Sequence, residues 1–258
     1  MAKWVRFESG KTIQFGTLEG DVISIHEGNM FDSPKPSGEQ VNLADVTLLT
    51  PCEPSKMFGL WNNFHALAAK LGNDAPEEPL YFHKSSNAFL AHGGVIQRPA
   101  IYSGRVVYEG EIGIVIGTVC KEISEDQAAS AIFGYTCIND VTAADIIDKD
   151  PTFAQWPRAK SFDTFGPFGP AIGTGLDPAD LNIVTILNGD ERQNYPVADM
   201  IIPPHKIVSM ISQEVTLSPG DIICCGTSIG VGVMKQDSNT VSVTIEGVGT
   251  LENTFINS

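Results

Sequence analysis

The 258-residue chain predicts an α+β fold dominated by strands, and three observations carry that prediction. Short apolar, β-branched runs recur from end to end between Gly and Pro punctuation. Helix signatures are few and short. A proline-rich junction, Pro51-Cys52-Glu53-Pro54, separates a first β-patterned stretch from the remainder.

Before that junction, residues 4–7, 12–18 and 22–26 have strand character, divided by Glu-Ser-Gly and Glu-Gly-Asp turns and followed by a polar Pro/Ser/Gly stretch at 33–39. Residues 1–50 therefore predict a small N-terminal β-module, and 51–258 the main domain. The main domain opens on a strand over 56–60. Asn63 then stands where it would cap a helix over 64–71, with Gly72 as the stop. Ser124-Glu125-Asp126-Gln127 has the form of a capping box opening a helix over 125–133 closed by Gly134. Thr142-Ala143-Ala144-Asp145 has the same form, opening 143–149 ahead of Pro151. The remaining runs, 106–119, 135–138, 171–173, 182–187, 221–225 and 240–246, predict strands.

Acidic residues outnumber basic ones 31 to 16, a formal charge of −15. Binding to nucleic acid or to an anionic membrane needs clustered Lys and Arg, which the sequence lacks. The longest apolar run, 112–119, is broken by Gly113 and Gly117 and falls short of the ~20 residues of a spanning helix. The first residues lack the apolar core of a signal peptide, so a cytoplasmic protein is expected. At 42% hydrophobic and 18% charged, the composition is that of a folded globular chain. Five cysteines without a CxxC spacing predict reduced core residues.

The sharpest chemical feature lies at 106–116. Side chains alternate along a strand, so Glu109 and Glu111 point the same way, with Val107 and Val115, while Tyr108, Ile112, Ile114 and Ile116 occupy the other face. A strand apolar on both faces is buried, and adjacent buried carboxylates repel unless a proton, a cationic side chain or a metal compensates them. A hard divalent cation answers that need economically, and Mg²⁺ bound by two or three carboxylates keeps positions for water or substrate. Glu-x-Glu also occurs on solvated strand edges. Asp140, ending the apolar run 134–138, is placed to complete the set, although a carboxylate beside a helix start serves equally as a cap. Lys160 lies among aromatic and small residues that suggest enclosure, where an ammonium needs an anionic partner. His26, His92 and His205 have no partner at metal-ligand spacing and read as structural or surface residues.

Four motifs in order, Tyr108-Glu109-Gly110-Glu111, then Gly134-Tyr135 with Asn139-Asp140-Val141, then Lys160-Ser161-Phe162-Asp163-Thr164-Phe165 leading to Gly169-Pro170, then Gly220-Asp221-Ile222-Ile223 with Gly226-Thr227, resemble the fumarylacetoacetate hydrolase family. The likeness covers about residues 55 to 250. It implies a mixed β-roll main domain beside a small N-terminal β-domain, usually as a homodimer. It also implies that Glu109, Glu111 and Asp140 bind Mg²⁺ or Mn²⁺, that Lys160 lies beside the substrate, and that Lys84 makes a further contact. Backbone amides around Gly226 and Thr227 would receive a remote substrate carboxylate, although an ordinary Gly-rich turn would look the same and the stretch fits neither common phosphate-loop pattern.

The resemblance implies small 2-oxo or enol carboxylate substrates, whose enolate charge a cation and a lysine would stabilise. Its hydrolytic members carry a His-x-x-Glu pair on a short lid helix. Here His65 is followed three residues on by Ala68, so the acid partner is missing, and only Glu77 or Glu78 could replace it through loop folding. The leading expectation is hydrolytic carbon-carbon cleavage of an acylpyruvate or fumarylacetoacetate-like β-diketone with His65 and Lys160 as catalytic groups. The alternative is a tautomerase, isomerase or decarboxylase of a 2-oxo dicarboxylate such as oxaloacetate or 2-hydroxyhepta-2,4-diene-1,7-dioate, which the missing glutamate favours. A non-catalytic ligand-binding homologue is the third reading.

Overall fold

The computed structural model describes residues 1–257. Four strands open the chain, β1 (Ala2–Ser9), β2 (Thr12–Glu19), β3 (Val22–Asn29) and β4 (Asp32–Asn42), followed by the short β5 (Thr47–Leu48). Next come β6 (Met57–Trp61), α1 (His65–Leu71), β7 (Leu80–Lys84), β8 (Phe89–Leu90), β9 (Val95–Gln97), β10 (Val106–Tyr108) and β11 (Gly110–Ile116). Helix α2 (Glu125–Ala131) leads into β12 (Ile132–Asn139), then β13 (Thr142–Ala143), α3 (Ala144–Ile147), α4 (Trp156–Lys160) and β14 (Gly166–Thr174). The last part holds β15 (Asn182–Leu187), β16 (Asp190–Pro196), α5 (Pro204–Glu214), β17 (Ile222–Cys224), β18 (Gly232–Val233), β19 (Ser238–Ile245) and β20 (Gly249–Ile256).

The strand-dominated expectation holds. A twelve-stranded sheet runs in the order β4-β3-β2-β1-β14-β12-β11-β17-β6-β7, with β5 on β1 and β8 on β14. A five-stranded sheet, β16-β15-β19-β20-β9, and a three-stranded one, β13-β10-β18, complete the fold. β6 and β17 run parallel, whereas β11 and β12 run antiparallel, so the large sheet is mixed. Its even-numbered β11 residues Ile112, Ile114 and Ile116 pack in the main core with Ile183, Val243 and Ile245 of the five-stranded sheet and Ile207 and Ile211 of α5. The N-terminal strands extend the same sheet, because β1 pairs antiparallel with β14 and sets Trp4 opposite Ile172. All five cysteines are free and buried. Among the described residues no helix is long and apolar enough to cross a membrane.

Several local expectations need correction. The Pro/Ser/Gly stretch at 33–39 lies inside β4, which tolerates Pro34 and Pro36 because it is the sheet's edge and its pairing with β3 shifts register twice. Asn63 does not cap α1. Its amide group instead donates to the carbonyls of Ile202 and Cys225, and its carbonyl accepts from the Ile202 amide, while Gly72 ends the helix as predicted at φ 71°. The Ser124–Gln127 capping box forms, but α2 stops at Ala131, because Ile132 and Phe133 already belong to β12 and Phe133 packs edge-on against Phe31. Gly134 is no helix stop. It is the point where β12 and β14 approach so closely that a Cβ would lie 2.3 Å from the Gly173 carbonyl oxygen.

The predicted helix 143–149 shrinks to α3, four residues long. Thr142 sits in β13 and gives its hydroxyl to the Glu109 carboxylate at 2.7 Å, and Asp145 binds the Arg105 amide and side chain, so neither capping group is available to the helix. The run 106–119 is two strands rather than one. The longest helix, α5, escaped the pattern: it starts on Pro203-Pro204, and its buried Ile207, Val208 and Ile211 form an apolar stripe under two turns long.

Candidate functional site

Glu109 is the single residue between β10 and β11, where the chain passes from the three-stranded sheet into the twelve-stranded one. The Asp140 amide donates to the Glu109 carbonyl at 2.8 Å, and the Glu109 amide donates to the Asn139 side chain at 3.2 Å. In the β11–β12 ladder Gly110 lies opposite Asn139 and Glu111 opposite Ile138. Carboxylate oxygens of Glu109, Glu111 and Asp140 thereby come within 4.8 Å of one another.

Two buried lysines close on this cluster. The Lys160 ammonium, at the end of α4, donates to Glu109 at 2.9 Å and to Asp140 at 2.5 Å. The Lys84 ammonium, at the end of β7, donates to the other Asp140 oxygen and to the Lys160 carbonyl, each at 2.5 Å. The Lys84 side chain is wholly enclosed, its ammonium bound to Asp140 and to the carbonyls of Lys160 and Val141. Asp140 and Glu109 thus have compensating ammoniums, while among the described residues Glu111 has only the Gly226 amide, at 3.0 Å.

The electrostatics follow from that unequal sharing. Burial alone would push the Asp140 carboxyl up, but Lys160 and Lys84 more than offset it and hold it below its ordinary value. Burial pushes Glu109 up, moderated by Lys160. Burial and then the charges of Asp140 and Glu109 push Glu111 well above the usual carboxylate range. For Lys160, burial works against the charged form, yet Asp140, Glu109 and Glu111 outweigh it and keep the ammonium protonated. Three convergent carboxylates, one of them uncompensated and raised, fit a hard divalent cation with oxygen ligands.

The Gly226 amide and the Thr227 hydroxyl are engaged within the protein. The Gly226 amide holds Glu111, and the Thr227 hydroxyl donates to the Gly110 carbonyl while accepting from Gln193. Gln193 also accepts the Gly110 amide at 2.9 Å and so bridges the two segments that carry Glu109, Glu111 and Gly226. Sequence reasoning missed Gln193; its signal is a buried amide alternating with Tyr195 on the otherwise polar β16. His65, the first residue of α1, is exposed and makes no hydrogen bond or ion pair with a carboxylate among the described residues. Glu77 and Glu78 are likewise exposed and do not reach it.

An aromatic wall adjoins Lys160 and was also missed. The Phe82 and Trp156 rings stack at 17° with centroids 5.7 Å apart, and the Lys160 ammonium lies 5.3 Å from the first and 5.9 Å from the second. Trp61 packs on Trp156 at 5.0 Å. The distal edge of the Phe82 ring abuts Gly59, where a Cβ would come within 2.4 Å of it.

Comparison with known proteins gives consistent relatives. A family model described as fumarylacetoacetate (FAA) hydrolase C-terminal matches residues 56–256, and one described as Rv2993c-like, N-terminal matches residues 2–51. The oxaloacetate tautomerase YisK of Bacillus subtilis is 32% identical over 253 residues, covering 91% of this chain and 83% of that protein. The crystal structure of 2-hydroxyhepta-2,4-diene-1,7-dioate isomerase from Mycobacterium marinum superposes with a TM-score of 0.90 at 38% identity, covering 99% of this chain and 98% of that one. Maleylpyruvate hydrolase from Sphingobium sp. SYK-6, solved with manganese(II) and pyruvate, superposes with a TM-score of 0.78 at 25% identity, covering 98% of each chain.

Proposed function

The chain belongs to the fumarylacetoacetate hydrolase family, and on that premise we propose that it is a metal-dependent tautomerase or isomerase of small 2-oxo carboxylates, exchanging keto and enol forms rather than hydrolysing a carbon-carbon bond. The observation that carries the choice is His65. A histidine that activates water needs a partner to orient it and stabilise its cation, and here Ala68 stands in the partner's place and, among the described residues, the ring makes no hydrogen bond or ion pair with a carboxylate, the nearby Asp199 being bound to the Ala66 amide.

Glu109, Glu111 and Asp140 would hold the cation, for which the all-oxygen ligand set favours Mg²⁺ with Mn²⁺ as a substitute. Bound there, the ion would polarise the 2-oxo group and stabilise charge on the enolate oxygen. Lys160 supplies a fixed positive donor beside the same carboxylates, held protonated by them. Lys84 keeps Asp140 oriented from behind, and the Gly226 amide does the same for Glu111. Keto-enol exchange moves one proton between C3 and the C2 oxygen with no bond to water, so it makes no demand on the missing dyad.

Proton NMR of the Mg²⁺-loaded protein with oxaloacetate and with acetylpyruvate tests this reading. The expected result is accelerated exchange of the oxaloacetate C3 protons, abolished by EDTA, with acetylpyruvate left uncleaved. Metal-dependent release of pyruvate and acetate from acetylpyruvate would overturn it in favour of hydrolysis.

A further inference from the structure

A cleft of about 450 Å³ is lined by Trp61, Leu80, Tyr81, Phe82 and Trp156 together with Glu78 and Glu214, and two of these, Phe82 and Trp156, also lie against the Lys160 ammonium of the carboxylate cluster. Strand geometry ties it to the site. In the β6–β7 pairing Met57 faces Lys84, Gly59 faces Phe82 and Trp61 faces Leu80, so Lys84, Phe82 and Leu80 project from one side of β7 in succession. That side runs from the Lys84–Asp140 ion pair, past the Phe82–Trp156 stack touched by Lys160, to the rim formed by Trp61 and Leu80. Because β7 is the last strand of its sheet, nothing covers the outer end of this shelf on the strand side.

The shelf has a definite chemistry. Its floor is aromatic, the stacked Phe82 and Trp156 rings, and Gly59 leaves room for the distal edge of Phe82. Its polar groups are acids: Glu78 is exposed at the rim, and Glu214 accepts the Tyr81 hydroxyl at 2.5 Å. No Lys or Arg lines the cleft. A carboxylate placed there would meet two like charges and no donor cation, whereas a planar apolar group would gain ring contact and lose little.

Resting on the tautomerase reading, we propose that this cleft receives the C3 substituent of the substrate and selects a flat, uncharged group, so that the preferred substrates are aryl-substituted or similar 2-oxo acids rather than 2-oxo dicarboxylates. The 2-oxo carboxylate head lies at the carboxylate–Lys160 cluster and the ring lies on Phe82 and Trp156. The reaction is balanced within the substrate: the C3–H bond breaks, its electrons form the C2–C3 double bond, and the former carbonyl oxygen takes a proton.

The test compares keto-enol exchange of phenylpyruvate and oxaloacetate on the Mg²⁺-loaded full chain, in wild type, Trp61→Ala and Glu78→Lys. Wild type is expected to favour phenylpyruvate at least tenfold in kcat/KM. Trp61→Ala should lower that ratio at least fivefold, through KM. Glu78→Lys, a change at an exposed position on the rim, should shift the ratio towards oxaloacetate by bringing a cation there. Equal turnover of the two substrates by wild type, or a ratio unmoved in both variants, would overturn the proposal while leaving tautomerase activity in place. If neither compound is exchanged, the functional reading itself fails, and calorimetry then decides the cleft alone. Phenylglyoxylate binding weakened at least fivefold by Trp61→Ala, with pyruvate binding unchanged, would sustain it, and an unchanged phenylglyoxylate affinity would refute it.

Discussion

Asp140 is the residue on which the site's stability turns, because two buried ammoniums share its two oxygens. Removing one partner of a buried pair leaves uncompensated charge, so Asp140→Ala should destabilise the metal-free protein by about 3–5 kcal/mol. Urea denaturation in EDTA checks it, and a loss below ~1 kcal/mol would contradict the assigned geometry. Glu111 behaves oppositely. Its raised carboxyl keeps a proton to higher pH than an ordinary glutamate, and a metal ligand must be deprotonated. Affinity for Mg²⁺ or Mn²⁺ should therefore rise with pH above the usual carboxylate range, with protons released on binding. Calorimetry in two buffers of different ionisation enthalpy measures that release; a pH-independent affinity would show that Glu111 is already ionised. Much of this was legible in the chain, since Glu109 and Glu111 two apart on an apolar strand must share a face. That Lys84 turns inward to Asp140 was not legible, because the partners are 56 positions apart and nothing local marks the pair.

Elements were legible where their signals are local. The Ser124–Gln127 box starts α2 as its spacing requires, so Ser124→Ala should cost about 1 kcal/mol of stability without altering metal affinity. A shift in urea midpoint at constant slope is the measurement, and an unchanged midpoint would mean that tertiary contacts alone hold the helix. Thr142 had a comparable local signal and lost it to a tertiary partner, the Glu109 carboxylate. Asn63 likewise spends its amide joining α1 to the 202 and 225 backbones. In both cases a side chain suited to capping found a stronger use once distant strands met. Strand β4 shows the reverse, since prolines that argue against pairing are harmless where one side of the strand has no neighbour.

Across the whole molecule, the large sheet carries β1 to β4 and β11 to β12 in one continuous ladder, with β14 joining the N-terminal strands to those that carry the carboxylate cluster. The Trp4–Ile172 pairing that makes this link joins residues with no local cue to each other in the chain. The five enclosed cysteines give that ladder a built-in reporter. Burial pushes the Cys52 and Cys137 thiols up to about 12 and those of Cys224 and Cys225 well above their ordinary value, so the reactive thiolate is scarce as well as hidden. A thiol-specific dye should react with the native protein only slowly, through its openings, and label all five at once on unfolding; prompt native-state labelling would refute the enclosure. Because Cys224 and Cys225 directly precede the glycine that holds Glu111, their slow labelling under native conditions would report how much of the time that segment is open, with no ligand or substrate required to see it.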